Sequence, residues 1–420
     1  MADIYSNTFV TICADEGKDA RAGFLGRRGE GGLSSIKIAC PSTADSKGEC
    51  HYVYARNKVA LASMNRRSIR SEVPTVIAHT GAGVSVLDTR GWTFQERLLS
   101  PRTLHYTVAE MAFECKKNAL CECTRVPQFL GSDRLFKNQI PAFQRDENHM
   151  WSKWMDIVEN FTRRSLGRDA DRLVALSGVA AAMLPFTAKD YICGLWRMRF
   201  LEGLLWHVAK IENSHRISSY APSWSWASVT SPISYFHGGM HSAETDHWAE
   251  IVSIKTEKMS TNPYTQARGS AALRGYLGEA TIIEASPGQL YVNVDPDHNE
   301  DPSSGYIPTL RENDLLNDDF LNDHLPPRAL EFRPDVDGQV EAQVADQVFA
   351  FIVTKHHRNN INDKRDQTPT CLVLKRSGEE TPTAYFRVGL AFPIWGWSWS
   401  YYGHPPNWDR HFTFTQVRII

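Results

Sequence analysis

Alternation of apolar and polar positions dominates the second half of the chain. Candidate strands with a period of two fall near residues 249–256, 271–285, 289–294, 346–355, 370–376, 384–392 and 411–419. The run at 295–340 breaks this pattern. It is acidic and proline-rich and reads as a long insertion. The middle of the chain changes period. Trp151, Trp154, Val158 and Phe161 share one helical stripe, and Leu173, Leu176, Ala180 and Met183 share a second, with Asp169 as its cap. Ile192, Leu195, Trp196, Leu204 and Trp206 predict a third, so three consecutive amphipathic helices form a bundle-like unit. In "APSWSWAS" (221–228), Trp224 and Trp226 alternate and are expected on one strand face.

Towards the start of the chain, "YSNTFVTICA" (5–14) reads as a strand, 15–50 as loop, 51–63 as strand-like and 64–87 as irregular. In "RGWTFQERLLSPRTLHY" (90–106), Trp92, Gln95, Glu96 and Leu99 fall at i, i+3, i+4 and i+7 of a helix that Asp88 or Thr89 caps. Ser100-Pro101 stops that helix, and "RTLHYT" and "MAFECK" follow as two short strands.

These elements divide the 420 residues into an α/β unit over 1–125, a helical unit over 145–215 and a β-rich region over 216–420. The predicted class is therefore mixed α+β and α/β. Balanced charge (46 basic and 48 acidic residues, formal net charge −2) gives no footprint for nucleic acid or an anionic membrane surface. No apolar run approaches the roughly 18 residues of a membrane span, and the first residues lack the pattern of a secretion signal. The eight scattered cysteines read as reduced thiols, which places the chain in the cytoplasm.

Few patterns carry chemistry. Cys115, Cys121 and Cys123 lack a usual zinc spacing and a fourth ligand, so no metal is expected. Asp295 opens a calcium-like run, but Glu300 and Tyr306 stand where glycine and glutamate are needed. His247, His356 and His357 have no partner motif. The Trp224/Trp226 cluster is either a ligand platform or core. Glu96, one turn after Trp92 and among Arg90, Arg97 and Arg102, is either a tuned carboxylate or an ion-paired anchor.

The stretch 90–102 resembles the signature R-x-W-x-x-Q-E-x-x-L-S-x-R of the fungal heterokaryon incompatibility (HET) domain, which Arg90, Trp92, Gln95, Glu96, Leu99, Ser100 and Arg102 match. "IYSNTFVTICA", "IVENFTRRSLGRDADRLVALSGVA", "YICGLWRMRFLEGLLW", "APSWSWASV", "NPYTQARGSAALRGYL" and "CLVLKRSGEETPTAYFRVGLA" resemble family segments in the same order. The family's upstream segments, roughly L-S-Y-C-W-G and W-I-D-x-L-C-I-x-Q-D, have no counterpart. The resemblance thus implies the C-terminal portion of the domain, with an unpaired edge on the early strand. It also implies a role in nonself recognition and regulated cell death, with protein partners and self-association. HET domains are distantly similar to TIR domains, some of which cleave NAD with a glutamate four residues after a tryptophan. That similarity implies no bound cofactor, NAD as substrate and Glu96 as the catalytic carboxylate. A truncated, inactive or regulatory chain is the remaining alternative.

Overall fold

The computed structural model describes residues 1–15, 17–19, 21–25, 35–40, 51–56, 85–107, 111–116, 119–121, 147–183, 191–217, 220–236, 246–259, 264, 267–286, 289–294, 329–337, 343, 346–357, 367–378, 383–392 and 412–420. They fall into two compact units, Met1–Phe186 and Thr187–Ile420. The helical residues expected as a separate middle unit are shared between them. The apolar stripes of residues 147–183 face the first unit's core, and the residues after 187 join the β-rich unit.

The first unit contains α1 (Ala2–Ser6), β1 (Thr11–Ala14), β2 (Ser35–Cys40), β3 (His51–Arg56), α2 (Gly91–Leu99), β4 (Arg102–Tyr106), β5 (Met111–Cys115), β6 (Ala119–Cys121), α3 (Glu147–Thr162) and α4 (Val174–Met183). Its main sheet has the order β1-β4-β5-β6. β1 pairs β4 in parallel, from Thr11 opposite Thr103 to Ala14 opposite Tyr106. The other neighbours are antiparallel. β1 is shorter than its sequence suggests, because residues 2–6 coil into α1. The expected loop at 15–50 contains β2, which pairs with β3 as a hairpin.

The polarity of this sheet is inverted. Asp15, Thr103, His105 and Glu114 lie on the buried side, together with Ala112. Ile12, Leu104, Tyr106, Met111 and Phe113 alternate with them and stay half-buried or exposed, Ile12 at 56%. Asp15, His105 and Glu114 are tolerated there because they pair with one another and with Arg97 of α2, whereas the buried Thr103 hydroxyl has no hydrogen-bond partner among the described residues. The two predicted helical stripes are real. Trp151, Trp154, Val158 and Phe161 of α3 are buried, as are Leu176, Ala180 and Met183 of α4 with the preceding Leu173.

The third predicted helix does not form. Tyr191–Ile192 (β7) and Leu195–Trp196 (β8) make a hairpin, followed by the short α5 (Phe200–Gly203) and β9 (Trp206–Val208). Cys193 and Gly194 take φ of 48° and 93°, a left-handed turn that stops helix propagation. Leu195, Trp196, Phe200, Leu204, Leu205 and Trp206 are also all buried, so the burial of this stretch does not follow one helical stripe.

The remaining strands are β10 (Ile233–Tyr235), β11 (Asp246–His247), β12 (Glu250–Lys258), β13 (Ala267–Ser286), β14 (Gln289–Asn293), β15 (Ala329–Pro334), β16 (Gln347–His357), β17 (Gln367–Arg376), β18 (Ala384–Phe392) and β19 (Phe412–Ile419). All seven period-two runs are strands. β15 is an eighth long strand, hidden at the end of the supposed insertion. Its Leu330 and Phe332 are buried, and it pairs β14 and β18. Residues 295–328 lie outside the described residues, as does the calcium-like run after Asp295.

Pairing runs in a closed circuit, β13-β14-β15-β18-β17-β16 and back to β13. β13 makes this possible through its twenty residues. It pairs β12 and β19 over its first half and β16 and β14 over its second. Ile282, Val292, Leu330, Phe332, Ala350, Ile352, Val373 and Val388, all from strands of the circuit, belong to one apolar cluster.

Candidate functional site

The expected cap of α2 is absent. Arg90 is the N-cap residue, with no side-chain cap, and Leu87–Thr89 form a turn of 3-10 helix before it. Residues 89–91 are instead held by a bridge to Ser165, with Ser165 N–H donating to Thr89 O at 2.7 Å and Gly91 N–H to Ser165 O at 2.8 Å. The helix ends as expected at Ser100, which is extended before Pro101.

The signature residues reach two different neighbours. Trp92 Nε1 donates to Asp171 Oδ2 at 3.2 Å, and Gln95 Oε1 accepts from Gly178 N–H of α4 at 3.1 Å. A Cβ on Gly178 would stand 2.8 Å from that oxygen, so the close approach needs glycine. On the other side, Glu96 neighbours Tyr5, and burial together with the Glu96 charge raises the Tyr5 pKa. Ser100 Oγ donates to Glu96 O and shares a 2.7 Å hydrogen bond with Thr11 Oγ1. Arg102 Nη1 donates to Phe9 O at 3.3 Å, and its guanidinium lies 5.0 Å from the Phe9 ring centroid. Arg90 is exposed.

Beneath α2 lies a buried charge network, of which the sequence named only Asp88, as a cap, and Arg97, as a neighbour of Glu96. Arg97 donates to both Glu114 oxygens, at 2.6 and 2.9 Å, and to Asp88 at 3.1 Å. Arg164 also donates to Asp88, at 3.2 Å. His105 Nδ1 donates to Asp15 Oδ2 at 3.0 Å, and Ser85 Oγ donates to Asp15 Oδ1 at 2.7 Å. His105 Nε2 is 3.2 Å from Glu114 Oε1, an ion-pair distance without hydrogen-bond geometry.

Three cations thus face three carboxylates. Burial disfavours the His105 charge, but the hydrogen bond with Asp15 and the nearby Glu114 carboxylate outweigh it and push the pKa up to about 10. Burial likewise opposes the Glu114 charge, yet Arg97 and His105 hold it well below the usual carboxylate range. Arg97 remains a fixed cation for the same reason. The network therefore holds charge rather than exchanging protons near neutrality.

At the rim, Glu96, Tyr5 and Cys13 are all half-buried and close to one another and to the network. This corner combines a carboxylate, a phenol and a thiol, which can accept hydrogen bonds or offer a nucleophile.

In the second unit, Trp224 and Trp226 lie in a turn and a 3-10 helix (Trp226–Ser228) rather than on a strand. Both are fully buried. Trp226 Nε1 donates to Gly194 O at 2.9 Å, and Trp224 packs edge-on against Phe200 at 5.2 Å. They are core, not an open platform. His247 Nε2 stands 3.5 Å from Glu202.

Among the described residues there is no metal-ligating cluster and no helix long and apolar enough to cross a membrane. Cys115 ends β5, on the side of the sheet away from the network, and Cys123 lies outside the described residues. Comparison of the chain with known protein families, with curated proteins and with solved structures finds no match.

Proposed function

We propose that the chain acts as a HET-type protein of fungal nonself recognition and regulated cell death, with a TIR-like α/β unit in its first half. The observation that carries this reading is the division of labour within the signature. Trp92 and Gln95 grip the helical segment at 171–178, and Ser100 and Arg102 grip residues 9–11, with Glu96 beside Tyr5. Each contact depends on the identity of the residue, as a recognition signature requires. On this reading α2 is the clasp of the unit. The protein works in the cytoplasm through protein partners and self-association. The test is inducible expression in a filamentous fungus, with vital-dye uptake scored in fusions against strains of differing genotype. Genotype-dependent death, lost in Trp92→Ala, is expected. Accumulation of folded protein without death in any fusion would sink the reading.

A second reading rests on Glu96, whose half-exposed carboxylate follows Trp92 by one helical turn. In NAD cleavage it would bind the ribose hydroxyls and stabilise the positive charge that develops as nicotinamide leaves. Purified chain should then release nicotinamide from NAD, and Glu96→Gln should abolish the release. Turnover that survives the substitution removes Glu96 from the reaction.

A further inference from the structure

Closure of the β-rich unit leaves one long strand with a free edge. β13 to β19 each pair with two or more strands. β12 (Glu250–Lys258) pairs, among the described residues, with β13 alone. Lys255, Thr256 and Glu257 are all exposed, so both faces of the strand reach solvent there. Such an edge carries backbone donors and acceptors that template another strand. The ladder to β13 slips between Ile251 and Ser253, and this bulge separates the first residues of β12 from the regular run beyond.

We propose that this edge pairs with the same edge of a second copy of the chain, antiparallel about a two-fold axis through Thr256. Charge complementarity selects the occupant and the register. Residues opposite each other in an antiparallel pair share a face, so a two-fold register is centred on a residue. Centred on Thr256, Lys255 of each copy stands opposite Glu257 of the other, and symmetry makes that pair twice. Centred on Lys255 or on Glu257, like charges meet at the axis. Centred on Ile254, the ladder runs into the bulge. Charges that guard an edge against other strands therefore admit one self-register here. Among the described residues neither Lys255 nor Glu257 forms an ion pair within its own chain.

The pairing gives the self-association of the proposed function a surface without resting on that function. One is read in solution and the other in cell fusions, so either can fail alone. The shared ladder is short and exposed, which makes a weak, reversible dimer that salt loosens. The two charges differ in what stands beside them on β13. Lys255 lies opposite the neutral Ser270, and Glu257 lies opposite Arg268. Reversing Lys255 therefore burdens the chain's own fold least.

The test is sedimentation of the full chain at low salt, up to about 200 µM, the range in which a small transient interface is populated. A reversible monomer–dimer equilibrium is expected. Lys255→Glu sets like charges opposite each other at both symmetric positions and should raise the dissociation constant about tenfold. Glu257→Lys should do the same. Mixing the two single variants brings unlike charges together again and should restore dimer to the level of the unaltered chain. Should Glu257→Lys fail to fold beside Arg268, the double reversal Lys255→Glu with Glu257→Lys is read in place of the mixture, with the same expectation. A chain that stays monomeric throughout would overturn the proposal. So would a dimer that Lys255→Glu leaves unchanged, or one that the mixture or double reversal does not restore.

Discussion

At Gly178 a single hydrogen atom sets the spacing between two helices. An added methyl would meet Gln95 Oε1 at 2.8 Å, Leu99 Cδ1 at 3.0 Å and Ala2 Cβ at 2.7 Å. Gly178→Ala should therefore cost about 1–3 kcal/mol by overpacking. Gly167→Ala, with nothing within 4 Å of the new atom, should stay within about 0.5 kcal/mol in chemical denaturation. His105 gives a prediction in pH. Its folded pKa is raised from 6.5 to about 10, so its contribution is complete below 6.5 and is lost as pH rises through 10. Between those limits the stability of the first unit should fall by up to roughly 1.4 kcal/mol per pH unit. Hydrogen exchange at residues 103–106 should follow that fall, and His105→Gln should flatten it. A profile equally steep in the variant would remove His105 as the cause. None of this was legible in the sequence. Asp15 and His105 are ninety residues apart, and nothing in the short strand "RTLHYT" marks His105 as a buried charge. Its partners on α2 and β5 are what turn that face inward.

Elements were legible where one side faces an apolar core. β13, β14 and β16–β19 announce themselves because each sends residues into one apolar cluster, whereas β12, with Ile251 and Val252 exposed, does not. α3 does so because Trp151, Trp154, Val158 and Phe161 recur at helical spacing. The failures have physical causes. The burial of β7 to β9 does not follow one helical stripe, and the turn at Cys193-Gly194 decides. β15 has an ordinary alternating pattern, but it follows an acidic stretch that masks it. The clasp helix was correct in extent and wrong at its start, since a bridge to Ser165 replaces the side-chain cap. Of the signature residues, the helical face was predicted correctly, but the separate neighbours of Trp92 and Glu96 required the fold. Element by element, β1 should be the least protected strand of its sheet. Among the described residues it pairs on one side only and exposes Ile12, whereas β4 is paired on both sides. Exchange slower at Thr11–Ala14 than at Thr103–Tyr106 would contradict this.

Across the β-rich unit, Arg387 ties the chain together. It is fully buried and sits 3.5 Å from the Trp206 ring centroid. Nε and Nη2 donate to Asp335 at 3.0 and 3.1 Å, and Nη1 donates to Leu204 O at 2.6 Å. Nη2 also reaches Trp206 O, and Arg216 Nη2 donates to Arg387 O at 2.8 Å. Arg387→Met should cost about 3–5 kcal/mol, because it leaves the buried Asp335 carboxylate with only Arg216, at 3.5 Å, as a counter-charge. Asp335→Asn with Arg387→Met should recover part of that loss in the same denaturation experiment. An additive double variant would show that the pair is not the source.

The closed circuit also sets an order in time. β13 spans residues 267–286, but the strand that lies along its first half, β19, is made more than a hundred residues later. As the polypeptide leaves the ribosome, β13 stands with one side unclaimed until residues 412–419 emerge, and a chaperone or a neighbouring nascent chain can occupy it in the interval. Synthesis of the last strand, rather than of the longest, is then the step at which the unit becomes safe from misassembly.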